Sequence, residues 1–446
     1  MTTQQDQLKA IANERGCSLK SLTVLAPQND PFRIGTPYQF RQAEWFAAVL
    51  ENVRSPEIHL REIHYSLVGS GTGEFYDGEP YFNDQASWER LQKYAKFARV
   101  LGLVDTRRLV DKRTPDPHLY APGRIAEPYL QVDEGYLRLP EIASSISRGH
   151  YSSGGAELHE MRYQQADQPY HVEVWAEKSS VEEELRPLCA RFGVNLMLNK
   201  GFSSYTTSMG IIDRCIASGK PARVLCVSDF DPAGDDMPTA LARYLEFNKE
   251  EYAGLDICLE PVLMTAEIAL EYGLPRSPIK TAQGQRDRFQ AFHGEGGVEL
   301  EALKVLHPGA TAAIMEKAIW KYRDSELRGR INDVAESAAT GLSASFQDAT
   351  APLQDEWQAI SQDADAIADR YHNRLRLLSD RMNREMEPIQ ERADELMLAT
   401  DTITSAFEYE IPDRPASELE VNLDHYFDSR REYLDQLPYH KRRKGQ

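Results

Sequence analysis

The stretch ARVLCVSDFDPAGDDM, residues 222–237, carries the features that set the expected fold. Its first half is a near-continuous apolar run, as a strand covered on both faces requires. Asp229 and Asp231 follow at the end of that run. At i and i+2 on an extended backbone two side chains point the same way. Two carboxylates crowded together repel and raise each other's pKa unless a cation neutralises them. Hard oxygen ligands favour magnesium or manganese. Pro232 and Gly234 turn the chain sharply, and a helix is expected after Gly234. Asp235 and Asp236 suit the positive end of its dipole.

Around this stretch strands and helices alternate. VEVWA (172–176) reads as a strand that ends at Glu177. Ser180-Val181-Glu182-Glu183 reads as a capping box opening a helix with Leu185, Leu188 and Phe192 inward. VNLMLN is the next strand, and TTSMGIIDRCIAS is a helix stopped by Gly219. LDICLEPVLM is a fourth strand, and the remainder to about Arg330 is mainly helical. The pattern predicts a parallel α/β sheet between helices. Ligand sites in such sheets lie beyond the carboxyl ends of the strands, where Glu177, Asp229 and Asp231 all fall. These three are the candidate metal ligands.

Upstream, Thr36-Pro37-Tyr38-Gln39 is a capping box with proline at the first helical position. Helices are expected over Thr36–Val53, His59–Val68 and Asp84–Leu101. In the second, Leu60, Ile63, Leu67 and Val68 form the apolar stripe, while Arg61 and Tyr65 sit one turn apart on its flank. In the third, Lys93, Lys96 and Arg99 lie opposite the apolar face. A basic turn follows Gly102, with short strand-like pieces. Three short helices and a basic hairpin are the pattern of a winged-helix DNA-binding module.

The formal net charge of −19 argues against nucleic-acid binding until it is divided by segment. Residues 90–113 hold eight basic side chains, Arg90, Lys93, Lys96, Arg99, Arg107, Arg108, Lys112 and Arg113, against Asp105 and Asp111, a local charge of +6. These eight are the expected DNA contacts. Residues 331–446 hold 24 acidic and 13 basic side chains, a local charge of −11. There, Leu353, Trp357, Ile360, Ala364, Ile367, Tyr371, Leu375, Leu378, Met382 and Met386 keep 3- and 4-residue spacings, which predicts a helical hairpin or coiled coil. That region packs on its own chain or self-associates. Pro388 should kink or end its helix. The basic tail KRRK (441–444) reads as a frayed end. The five cysteines show no CxxC spacing, which fits a reducing compartment. No apolar run reaches membrane-spanning length, the N-terminus lacks the pattern of a secretory signal, and a cytoplasmic location is expected.

Strand–Glu177–helix, then strand–Asp229-x-Asp231-Pro-x-Gly some 50 residues on, resembles a TOPRIM domain, the magnesium-binding module of topoisomerases, primases and related nucleases. A winged helix followed by TOPRIM resembles the topoisomerase VI A subunit and its relative, the meiotic double-strand-break transesterase, over roughly residues 36–330. In that family the nucleophile lies in a string like R-[DE]-[IL]-[FY]-Y, and this chain reads Arg61-Glu62-Ile63-His64-Tyr65. Asp231-Pro-x-Gly234 and the Lys200-Gly201-Phe202 turn also match this branch, and GLPRSPIK…VELEAL looks like its stand-alone bacterial members. His64 in place of an aromatic, and the acidic region after 331, depart from the family pattern.

The resemblance implies that Tyr65 is the nucleophile, assisted by Arg61. It makes Glu177 a general acid/base or metal ligand, and gives Asp229 and Asp231 the metal. It implies a homodimer cleaving double-stranded DNA, a 5′-phosphotyrosyl link, and a separate GHKL-type ATPase subunit for strand passage. The expected organisation is an extension (1–35), a winged helix (36–130), a linker (131–168), TOPRIM with a helical extension (169–330) and an acidic helical region (331–446). The alternatives are a metal-dependent hydrolytic TOPRIM nuclease and a non-catalytic DNA-binding scaffold.

Overall fold

The computed structural model describes residues 4–26, 30–53, 55–71, 73–110, 116–141, 146–198, 205–252, 254–372 and 379–443. The chain forms two compact units. One comprises Met1–Arg124, Gln168–Asp324 and Leu419–Gln446, and the other Ile125–Asp167 and Ser325–Glu418. Among the described residues no helix is long and apolar enough to cross a membrane.

In the first unit α1 spans Pro37–Glu51, α2 Leu60–Gly69 and α3 Gln85–Val100. The expected capping box opens α1: the Gln39 N–H donates to Thr36 Oγ1 and the Thr36 N–H to Gln39 Oε1. Asp84 caps α3 through the Ser87 N–H, at 2.8 Å. His59 caps α2, its Nδ1 accepting from the Arg61 N–H at 3.0 Å. Phe46 and Leu50 of α1, Ile63 of α2, and Leu91, Ala95 and Ala98 of α3 are buried together.

Residues 111–115, the middle of the expected basic hairpin, lie outside the described residues. Leu109–Val110 pairs in parallel with Ile58–His59, just before α2. The chain then reaches the central sheet, where His118 bridges Leu196 and Asn195 Oδ1 accepts from the N–H groups of Tyr120 and Ala121.

The central sheet contains β1 (His171–Ala176), β2 (Asn195–Leu198), β3 (Ala222–Val227), β4 (Ile257–Leu263) and β5 (Phe427–Asp428), in the order β5-β4-β3-β1-β2. The first four are parallel to their neighbours; β5 is antiparallel on β4. Every residue of β1 and β3 is buried. Period-2 alternation splits their side chains between two cores. Trp175, Val224 and Cys226 join one cluster with Met209 and Ile212 of α5 (Tyr205–Ser218, whose label follows α4, Glu182–Phe192), and with α1–α3. Val174, Leu225 and Val227 join another with Leu185 of α4 and with Leu300, Met315 and Ile319. The N-terminal helices and one sheet face therefore share a single core.

Two local expectations differ. The α4 start has no side-chain cap: residues 179–181 form a 3₁₀ turn, so Ser180 is out of register with the helix. The helix after β3, α6 (Pro232–Phe247), begins before Gly234, with Asp231 as its N-cap.

In the second unit, the stretch read as a linker forms two antiparallel pairs, Tyr129–Val132 with Ala156–His159 and Tyr136–Arg138 with His150–Ser152. It belongs with the helices Leu327–Tyr371 and Ser379–Ser405. Leu353, Trp357, Ile360, Ala364, Ile367 and Tyr371 pack against Met382, Met386, Ile389 and Leu396, with Tyr151 in the same cluster. Ion pairs Arg392–Asp363 and Arg370–Glu385 show that the two helices run antiparallel. The second helix continues through Pro388. Leu375 and Leu378 lie outside the described residues. Residues 419–443 leave this region and supply β5 and a helix, Tyr433–Arg443, to the first unit.

Candidate active site at the carboxyl ends of the parallel strands

β1 and β3 end in register, Ala176 opposite Val227, and the Glu177 N–H donates to the Val227 carbonyl at 2.8 Å. Glu177 and Asp229 therefore leave adjacent strands at the same end of the sheet. Asp229 is buried; its Oδ1 accepts from the Leu300 N–H at 2.9 Å, and its Oδ2 pairs with Lys178 Nζ at 2.6 Å. Asp231 Oδ1 instead accepts from the N–H groups of Ala233 and Gly234, at 2.9 and 2.8 Å. The two aspartates thus do different work: one faces the site and one starts a helix.

Two glycines permit this packing. A Cβ at Gly234 would lie 2.0 Å from the Asp229 carbonyl oxygen, so only hydrogen fits there. A Cβ at Gly297 would lie 2.8 Å from the Phe230 carbonyl. With that approach open, Phe230 and Val298 exchange backbone hydrogen bonds at 2.9 Å each way. The bridge delivers Glu299 and Glu301 to Asp229.

Carboxylate oxygens of Asp229, Glu299 and Glu301 lie within 4.8 Å of one another. Of the three acids expected from sequence, Asp229 belongs to this trio. Lys178 Nζ bonds all three members of the trio, at 2.6, 2.5 and 3.2 Å. A second trio, Asp256, Cys258 and Asp428, is neutralised by Arg223 on Asp256 and by Arg430 on both acids.

The electrostatics follow from this crowding. Burial, then the charges of Asp229 and Asp231, push the Glu177 carboxyl up to about 7. Its Oε2 is buried without a hydrogen-bond partner. Burial also raises Asp229, against the opposing pull of Lys178 and the Leu300 N–H. For Lys178, burial disfavours the ammonium, but hydrogen bonds to Asp229 and Glu299 outweigh it and hold its pKa above the usual lysine value. An all-carboxylate donor set with an orphaned buried oxygen fits a hard divalent cation.

Tyr65 is 59% exposed. It lines a polar cleft with Arg61, Asn83, Asp84, Gln85 and Gln92. The Arg61 guanidinium carbon is 6.0 Å from the Trp88 ring centroid. His64 is buried beneath, Nδ1 at 2.7 Å from Tyr81 Oη and Nε2 at 3.1 Å from Asn83 Oδ1. The histidine that departs from the family string thus ties α2 to the segment before α3. This cleft and the acidic trio have no residue in common.

Most of the described basic residues are engaged within the chain. Arg90 pairs with Asp77 at 2.7 Å and with Glu79, over the Phe75 ring. Arg99 donates to Thr206 Oγ1 at 3.0 Å, docking α3 on α5. Arg107 pairs with Asp213 at 2.5 Å and Glu251 at 3.2 Å. Arg108 Nη2 donates to the carbonyls of Val53 and Ser55 beyond α1, at 2.9 and 3.2 Å. Lys96 is half-buried, its pKa lowered by burial and then by Arg99. Lys93 is exposed, 5.6 Å from the Phe97 ring centroid. Lys112 and Arg113 lie outside the described residues, as does the Lys200-Gly201-Phe202 turn.

Sequence reasoning missed Lys178, Glu299 and Glu301 as site residues. The available signal was the spacing of Glu299 and Glu301 in VELE, which repeats the i, i+2 acids of DFD. Compared with protein-family models and with curated proteins, the sequence finds no match.

Proposed function

We propose that this chain is a metal-dependent DNA-cleaving enzyme of the TOPRIM type, with an N-terminal part of winged-helix kind, resembling the topoisomerase VI A subunit. The observation that carries it is the emergence of Glu177 and Asp229 from the carboxyl ends of adjacent parallel strands, with the carboxylates of Glu299 and Glu301 beside that of Asp229. Glu177 and Asp229 would hold magnesium or manganese, with Glu299 and Glu301 as further donors and Asp231, the third acid the resemblance implies, at the start of the next helix. Such an ion neutralises charge on a phosphate and its departing oxygen.

Tyr65 serves as nucleophile. Its exposure beside Arg61 supports this role, since a packing tyrosine would be covered. The phenolic oxygen bonds to a backbone phosphorus and its proton passes to solvent. The bond from phosphorus to the 3′ oxygen breaks, and that oxygen takes up a proton, leaving DNA on Tyr65 through its 5′ phosphate. Arg61 stabilises the phenolate or holds the phosphate. The resemblance to the topoisomerase VI A subunit supports a homodimer as the proposed working form, in which one copy's tyrosine meets the other's acids. Double-stranded DNA is the substrate, and a GHKL-type ATPase is the proposed partner for strand passage.

The acidic site, which contains no tyrosine, also supports a second reading, hydrolysis there without Tyr65. Plasmid cleavage with magnesium, stopped in denaturant, distinguishes them. Transesterification leaves DNA bound to the protein, and Tyr65→Phe abolishes both the adduct and cleavage. Free ends that persist in Tyr65→Phe establish the nuclease. Full activity of Glu177→Gln and Asp229→Asn would overturn the metal site, and binding without nicking would leave a scaffold.

A further inference from the structure

Lys178 follows Glu177 directly, and its ammonium lies in the middle of the acidic trio. Its distances are 2.6 Å to Asp229 Oδ2, 2.5 Å to Glu299 Oε2 and 3.2 Å to Glu301 Oε2. The three acids come from two separate segments, the loop after β3 and the start of the helix Leu300–Leu306. Without a positive charge between them they would repel across a partly buried space.

We infer that Lys178 is the resident counter-cation of this site and is exchanged for the divalent ion when that ion binds. The inference rests on the proposed metal dependence and goes beyond it by making metal binding a competition. An ammonium and a divalent ion cannot both sit against Asp229 Oδ2 without strong mutual repulsion. Lysine suits the exchange: its charge is compact and its four-carbon stem swings without disturbing the backbone. The side chain is 28% exposed, so it has a path to water. The ammonium keeps the loop after β3 and the start of Leu300–Leu306 assembled while the site lacks a divalent ion, at the expense of metal affinity.

The test is manganese titration of the full chain by calorimetry, with free ion followed by electron paramagnetic resonance. Lys178→Met removes the competing charge and should bind manganese about tenfold more tightly than wild type, the effect of one ion pair of intermediate exposure. Lys178→Arg, which keeps the charge, should bind no more tightly than wild type. In chelator, Lys178→Met should melt below wild type, and manganese should raise its melting temperature by more. Lys178→Gln, which keeps a donor for Asp229 without the charge, gives the same comparison if the methionine variant does not fold. Equal or weaker manganese binding by the neutral variants overturns the exchange and leaves the metal site standing. No manganese binding by any form, wild type included, overturns the metal dependence and the exchange with it.

Discussion

Glu173 and Arg214 form an ion pair against the sheet, with Arg214 Nε and Nη2 donating to the two glutamate oxygens at 2.6 and 2.8 Å. Glu173 has no exposed surface and also accepts from Trp175 Nε1 at 2.9 Å and Asn195 Nδ2 at 3.2 Å. Burial alone would raise its pKa; the hydrogen bonds and charge of Arg214 outweigh burial and hold it well below the carboxylate range. Glu173→Gln leaves Arg214 buried without its counter-charge and should cost about 3–5 kcal/mol. A depressed carboxylate contributes stability above its unfolded pKa of about 4.3, and that contribution is lost as pH falls from there toward the folded value. Urea unfolding of wild type should therefore weaken progressively as pH falls below about 4.3, and Glu173→Gln should show a shallower slope.

Gly234 touches the backbone of Asp229 with no room for a side chain. Gly234→Ala must push the loop after β3 away from α6. It should lower unfolding free energy by on the order of 3 kcal/mol and weaken manganese binding. Gly284, in the helix Gln283–His293, has open space around it, so Gly284→Ala should stabilise by roughly 0.5–1 kcal/mol. Equal effects of the two substitutions in urea titrations would refute the steric argument.

The basic stretch makes a separable forecast for DNA. Arg99 and Arg107 are committed to Thr206 and to Asp213 and Glu251. Replacing either by alanine should lower the melting temperature slightly, since these contacts are partly exposed and worth about 1 kcal/mol or less. Neither should change the slope of log Kd against log salt. Lys93→Ala should leave stability alone and reduce that slope by about one if Lys93 meets a phosphate.

Phe427 lies in the same core as α1–α3 and is 1% exposed. Phe427→Ala should cost about 3–5 kcal/mol. A chain stopped after Glu418 loses β5 and uncovers the edge of β4. It should lose cooperative melting and aggregate, as seen by calorimetry and light scattering.

Much of the first unit was legible in sequence. Thr36, Asp84 and Gly219 mark helix ends through local hydrogen bonds and a positive φ of 66° at Gly219. Residues 222–227 read as a doubly covered strand because both faces are apolar. Ser180 misled because a capping box depends on register, and a 3₁₀ turn intervenes. Pro388 does not end its helix, because proline removes one hydrogen bond while a long apolar interface with the partner helix remains. In the site, position put Glu177 and Asp229 at strand ends, but sequence does not tell which other acids reach them.

By itself, then, the sequence determined the parallel α/β plan, the helix starts and the strand ends from which Glu177 and Asp229 emerge. These depend on apolar periodicity and on contacts within a few residues. Only the tertiary structure decided that Lys178 joins Asp229 to Glu299 and Glu301, and that Arg107 meets Asp213 106 positions away. Charges carry no periodicity that names their partners. Packing of apolar faces brings distant segments together, and only then does each ion find the opposite charge that limits its desolvation cost.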